Sequence, residues 1–447
     1  MMLADDVLRT WDGWVLAVVV LMGAPLGVCV GEADKPGSLA PSAPGLRPLP
    51  GGIPTTQMTG WFCVTDFGAI GDGKTDCTAA FHDALAAADK ANGGIVWVPA
   101  GNYRVKQLTI PRRVTLRGTF EAPPRHYKNG GSVILAVPDK TGEDGRPFCI
   151  MYECAALRGL VIHYPNQQAT ETPDPYPWCV RGIGDNVTLT DVLLSNPYNG
   201  IDLGTQPAGR HYVRNVNMHA LRRGLFIDKC FDVGRVENVH IWPFWAMQGP
   251  PRAFTYKQGE AFIIGKTDWE YMTNCFCIGY AIGFHFIKTK HGAANAVLTQ
   301  SGSDVGPLAV LVDHVQAHSG ISFVNSQMMA TVKVSSTNRG PVKFTACGFW
   351  PVKETGPQAI LDGQDTVSFN ACHFAGWDQA NTGEPCIRAN AGSLIVNGCD
   401  FLKAKAQRQI VLGEKLRSAV ITSNHLRGGA KIENHSRGDV QIGMNAE

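Results

Sequence analysis

Three stretches of the chain, "TACGFW", "NACHFA" and "NGCDFL", place Cys347, Cys372 and Cys399 at intervals of 25 and 27 residues, and "TSNHLR" follows with Asn424 in the same place. A unit of that length cannot bury an apolar face alone, so successive units must stack into a solenoid. The register extends upstream through Val315, Cys275, Val239, Val216 and Val192. In every copy the residues three before and two after this position are apolar. One residue before it stand Asp191, Asn215, Asn238, Asn274 and His314, then Ala346, Ala371, Gly398 and Ser423. Apolar parity flips at that polar or small position, as it does where two short strands meet at a bend. Asparagine suits the bend because it can bond its own backbone and tolerates left-handed conformations.

Two such strands per turn, with a third reading "GIDL", "GLFID", "IGFHF" and "GISFV", amount to an all-β parallel β-helix. Coils stack about 4.8 Å apart, so nine of them predict a rod of roughly 40 Å. The repeating cysteines then form a buried stack, because a thiol behaves as a small hydrophobe. No zinc-ligand spacing is present, and no metal is expected.

At the N-terminus, "WVLAVVVLMGAPLGVCV" follows a short head carrying Arg9, which predicts an export signal over residues 1–30. The run is too short and too broken by Gly and Pro to span a membrane comfortably. Val28 occupies the place where a lipid-attachment box before Cys29 wants a small residue, so secretion or periplasmic export is favoured over a lipid anchor. Residues 31–58, rich in Pro, Gly and Ser, predict a flexible linker, and 59–447 the β-helix domain. The 40 Lys+Arg are balanced by 38 Asp+Glu without a basic stripe, which argues against a nucleic-acid partner.

"VTDFGAIGDGKTDCTAAFHDALAAADKANGG" predicts a strand, Gly-Asp turns and a helix capped near Asp76, with Phe81 and Leu85 on one face and Gly93-Gly94 ending it. Such a helix covers the open end of the first coil, placing the cap and first coil over 59–118. This stretch, with "GGIVWVPAGNYRV", resembles the pectate-lyase superfamily of right-handed, single-stranded β-helix proteins, which includes relatives of polygalacturonases, rhamnogalacturonases and tail-spike depolymerases. The segment "KTDWEYMTNCFCIGYAIGFHF" is similar to one in bacterial members. The resemblance implies a carbohydrate-active fold, with a polysaccharide or oligosaccharide in a groove along one strand stack. It does not fix a reaction.

If Ile201, Leu203, Leu225, Ile227, Ile282 and Phe284 point inward, Asp202, Phe226, Asp228, Gly283 and His285 point outward on neighbouring coils. The long loop "WPFWAMQGPPRAFTYKQGE" brings Trp242, Phe244, Trp245, Arg252 and Tyr256, and ring faces stack on sugars. In "TDWE", Asp268 and Glu270 flank Trp269 and would share one face of a strand. Glu270 is the anomaly. Five residues before the repeat position the other coils carry Val187, Val310, Val342, Val367, Leu394 and Ala419, and only Gly234 and His211 also depart from that rule.

A glycoside hydrolase needs two carboxyl groups, about 5–5.5 Å apart for retention or about 6.5–9.5 Å for inversion. The candidates are Asp202, Asp228, Asp268 and Glu270, with Trp242, Trp245, Arg252, Trp269, His285 and Lys288 binding substrate. No cofactor is expected for hydrolysis. The polygalacturonase paired-Asp and Gly-His-Gly motifs are absent. A polysaccharide lyase, using Lys266, Lys288, Lys290 or Arg223 and Ca²⁺, is the alternative, and a non-catalytic glycan-binding rod is the third reading.

Overall fold

The computed structural model describes residues 60–243, 249–352, 356–402 and 407–447. The expected signal and linker, together with Phe244 and Trp245, lie outside the described residues. From Gly60 onward the chain winds into about 14 turns of parallel β-helix, and its strands pair only with parallel neighbours one turn away. No helix among the described residues is long and apolar enough to cross a membrane.

Each turn contributes to three sheets. Sheet A runs through Tyr212–Arg214, Arg235–Glu237, Tyr271–Thr273 and Val297–Thr299. A one-residue bend leads to sheet B, through Val161–His163, Leu193–Ser195, His240–Ile241 and Phe276–Ile278. A turn of variable length leads to sheet C, through Trp178–Gly182, Asn199–Leu203, Arg223–Ile227, Glu260–Ile264, Ile282–Phe286 and Leu308–Val312.

The bend residues are left-handed: Asp191, Asn215, Asn238 and Asn274 have φ of 60°, 54°, 51° and 53°. Their amides do not turn back on their own backbone. Asn215 donates to Asp191 at 2.7 Å, Asn238 to Asn215 at 3.0 Å and Asn274 to Asn238 at 2.9 Å, a ladder along the helix axis. Stacked coils place identical groups about 4.8 Å apart, and the amide spans that gap.

The predicted register slips between Cys275 and Cys347. His314 and Val315 are not at a bend; two bends lie there, at Gln300-Ser301 and Asn325-Ser326 with φ of 51° and 48°. Serine substitutes for cysteine in these turns. Cys275 N donates to Ser301 Oγ at 3.1 Å and Ser301 N to Ser326 Oγ at 3.2 Å, as Cys372 N does to Cys399 Sγ and Cys399 N to Asn424 Oδ1. A search for cysteine or valine passes over a hydroxyl that does the same job. The same slip misplaced "GISFV", which pairs in sheet A with Ala296–Thr299 and Val342–Thr345.

The interior is filled by aligned rings. Phe323, Phe344 and Phe369 stack at 5.4 and 5.2 Å, and Phe349, Phe374 and Phe401 at 4.6 and 4.7 Å. Each fully buried phenylalanine is worth about 1.5–3 kcal/mol of apolar burial. The cysteine stack is buried as expected, and no disulfide forms among the described residues. Helix α1 (Thr78–Lys90) buries Phe81, Ala84, Leu85 and Ala88 over the first turn, and Asp76 Oδ1 accepts from Thr78 N at 3.0 Å at its start.

Candidate functional site

The turns joining sheet B to sheet C are short at 196–198 and 219–222 and long on either side, at 137–148, 164–177 and 242–259. The outer face of sheet C between Trp178 and His285 is therefore a floor flanked by long loops, on which Trp178, Asn199, Asp202 and Ile263 are buried and Arg181, Arg223, Phe226, Glu260 and His285 are partly exposed. Within the last loop, Pro250 and Pro251 start helix α2 (Pro250–Gln258). It is fastened to the floor where Thr255 Oγ1 donates to the Leu221 carbonyl at 3.0 Å and Arg222 to the Gln258 carbonyl at 2.5 Å.

Two outward rows carry the chemistry. Trp178, Asn199, Arg223 and Glu260 face out in register on successive turns, as do Arg181, Asp202, Phe226, Ile263 and His285. Arg181 donates to Asp202 at 2.5 Å, and Trp178 stacks on Phe226 with centroids 6.2 Å apart. From the 137–148 loop, Glu143 accepts from Arg223 at 3.0 Å and from Asn199 Nδ2 at 3.4 Å. Glu260 accepts from Arg222 at 2.9 Å and meets His285 Nδ1 at 2.7 Å. His285 Nε2 meets Asp313 at 2.9 Å, and Ser335 donates to Asp313 at 2.5 Å.

Burial works against the His285 charge, but Glu260 and Asp313 on either side outweigh it and raise its pKa above the ordinary imidazole value. Burial likewise opposes ionisation of Glu260, and the bonds from His285 and Arg222 overcome it and hold its pKa down. Next to Asp313 opens a depression of about 700 Å³, lined by Ile287, Lys288, Thr289, Asp313, His314 and Thr337. A carboxylate–imidazolium–carboxylate line beside such a space can fix a hydroxyl-rich ligand and supply a base.

Of the residues singled out in the sequence, Asp202 and His285 lie on this floor and Lys288 on the rim of the depression. Asp202 is fully buried, and its other oxygen accepts from Gly204 N and Thr205 N, so it organises the turn. Asp228 does the same one turn later, accepting from Lys266 N at 2.6 Å and Thr289 Oγ1 at 3.1 Å. Gly283 is no groove residue; a Cβ there would meet the Ala309 carbonyl at 2.6 Å. Arg252 is half-buried on α2, where burial lowers its pKa. Trp242 follows directly on the sheet B strand, its ring 5.2 Å from that of His240 and away from the sheet C floor's paired groups.

The expectation that Asp268 and Glu270 share a face fails. Asp268 is exposed and paired with Lys266, Trp269 packs on Tyr271 at 5.8 Å, and Glu270 is sealed in the interior. Thr267 and Glu270 are both fully buried with Asp268 exposed between them, so alternation breaks within this strand, next to a bulge in its neighbour, where Cys230 pairs with Thr267 but Val233 with Trp269. No glycan reaches Glu270 where it lies.

Sequence reasoning missed Glu143, Glu260 and Asp313. Glu260 was hidden because it was read as the last residue of the long loop; with "EAFII" set under "RGLFI", it falls beside Arg223. Glu143 carries no periodic signal, since loop residues follow no register.

Residues 61–150 match the family described as rhamnogalacturonase A/epimerase, pectate lyase-like. A 44-residue segment, 10% of this chain, is 59% identical to mannuronan C5-epimerase AlgE3 of Azotobacter vinelandii, of which it spans 2%. The tail spike protein of Shigella phage Sf6 is 24% identical over 383 residues, 79% of this chain and 55% of that protein. Among solved structures, the pre-mature bacteriophage phi29 gene product 12 superposes over 85% of this chain and 56% of its own, with a TM-score of 0.55 and 14% identity, a likeness of fold. Over residues 61–150 the chain thus resembles the pectate-lyase-like proteins, its coils share the parallel β-helix fold of their neighbours, and it spans only part of the length of the relatives it matches.

Proposed function

We propose that this protein is an exported glycoside hydrolase that binds a polysaccharide along the outer face of sheet C. The observation that carries the reading is that two carboxylates are held over the outer face of sheet C, Glu143 by Arg223 and Asn199 and Glu260 by Arg222 and His285, beside the Trp178–Phe226 stack. Asn199, Arg223 and Glu260 stand in register on three successive turns about 4.8 Å apart, so a carboxylate bonded to the first two lies roughly one to two turns from Glu260, a span that suits the roughly 5–9.5 Å between glycosidase carboxyl groups. Glu260, whose pKa His285 and Arg222 hold down, takes the base or nucleophile role, and Glu143 protonates the departing glycosidic oxygen. Phe226, partly exposed and backed by the buried Trp178, offers a ring face to a sugar.

A lyase must neutralise a uronate carboxylate with a cation that is free to do so. On this floor Arg181, Arg222, Arg223 and His285 are each matched by a protein carboxylate, which favours hydrolysis. The lyase reading rests instead on Lys288, exposed at the depression. The test is turnover of a polysaccharide panel by Glu260→Gln and Lys288→Ala. Loss in the first and retention in the second support the hydrolase; the reverse moves the chemistry to the lysine.

A further inference from the structure

His211, Gly234 and Glu270 occupy one inward position on three successive turns of sheet A, where the turns beyond carry Ala296, Ile321 and Val342. A row otherwise built of aliphatic residues thus carries an imidazole and a carboxylate, with a glycine between them. A Cβ on Gly234 would lie 2.2 Å from Glu270 Oε2 and 2.6 Å from His211 Nε2, so only glycine lets the two groups meet. Cys230, at the start of the middle strand, completes the group. One ligand atom from each of His211, Cys230 and Glu270 lies within 4.8 Å of the others, and all three residues are fully buried.

We propose that His211, Cys230 and Glu270 bind one zinc ion inside the β-helix. The His211 ring is set for it: Nδ1 lies 2.8 Å from the Ala208 carbonyl, so it donates there and turns Nε2 to the cluster, the outer-sphere bond typical of metal-binding histidines. Glu270 Oε1 is 3.1 Å from Nε2, but Oε2 has no hydrogen-bond partner and no access to water. An unsatisfied carboxylate oxygen in a core costs several kcal/mol, which a cation removes. Thiolate, imidazole and carboxylate together suit Zn²⁺ and exclude Ca²⁺ and Mg²⁺, which take oxygen ligands. Ligands on tetrahedral zinc stand roughly 3.3–3.8 Å apart, so the cluster needs to tighten by only about 1 Å.

The ion would pin three turns together at the bulge where pairing is irregular. The test is elemental analysis of the purified full chain, with the cobalt-substituted protein examined for a thiolate-to-cobalt absorption band. One zinc per chain, a cobalt band in the native protein and loss of both in Cys230→Ser, but not in Cys154→Ser at an exposed cysteine, is the expected result. A metal-free native chain with no cobalt band, or a band that survives Cys230→Ser, overturns the proposal. Because the native protein is itself measured, a misfolded variant does not decide the outcome.

Discussion

Glu143 accepts a hydrogen bond from Arg223 at 3.0 Å across 80 positions of sequence. That contact, with the one to Asn199, folds the 137–148 loop over sheet C and brings its carboxylate to the two turns that precede Glu260. Glu143→Gln and Glu260→Gln are each expected to lower kcat by about 10²–10⁴-fold, the usual worth of a positioned acid or base. Circular dichroism should show both variants folded, since the isosteric amide leaves the packing intact. Turnover within threefold of wild type in both would remove the pair from the mechanism.

His285, between Glu260 and Asp313, makes stability depend on pH. Its folded pKa lies above the free value of 6.5, so its contribution is full below pH 6.5 and fades as pH rises through the folded pKa. Glu260 is held below 4.5, so its contribution is present above pH 4.5 and is lost as pH falls further. The Tm difference between wild type and His285→Gln should therefore be largest between about pH 4.5 and 6.5 and shrink above neutrality. A difference that does not change with pH would contradict the charged chain.

The Trp178–Phe226 stack should serve the ligand more than the fold, because Phe226 is half-exposed on the floor. Phe226→Ala is expected to weaken oligosaccharide binding by about 1 kcal/mol, roughly fivefold in Kd, in isothermal titration. Unchanged affinity would place the sugar elsewhere on the rod.

Ala371 holds a left-handed bend with φ of 51°, at the position Gly398 fills one turn later. A left-handed alanine costs about 1–2 kcal/mol, and glycine's extra unfolded-state entropy about 0.5–1. Ala371→Gly should therefore stabilise the chain by about 0.5–1 kcal/mol in denaturant unfolding. A loss of stability would mean that the methyl packs better than its backbone fits.

The fold was legible because a coil repeats its demands. Each turn needs apolar residues at fixed offsets and a bend residue that accepts positive φ, and Asn215, Asn238 and Asn274 announce that position. Legibility failed where chemistry, not residue type, was kept, as with Ser301 and Ser326 in the cysteine ladder. The site was half legible. Asp202 and His285 follow from strand alternation, whereas Glu143 reaches the floor only through loop folding that no period encodes. Glu270 stood out correctly as an anomaly, but two other departures in its row, His211 and Gly234, tie it to the interior and not to a cleft.

The most direct measurement is mass spectrometry of the products released from a cleaved polysaccharide in heavy-oxygen water. Hydrolysis in the sheet C cleft predicts one labelled oxygen at each new reducing end, and none in Glu260→Gln. Products lighter by one water and free of label, formed equally well by Glu260→Gln, would show elimination and contradict the account.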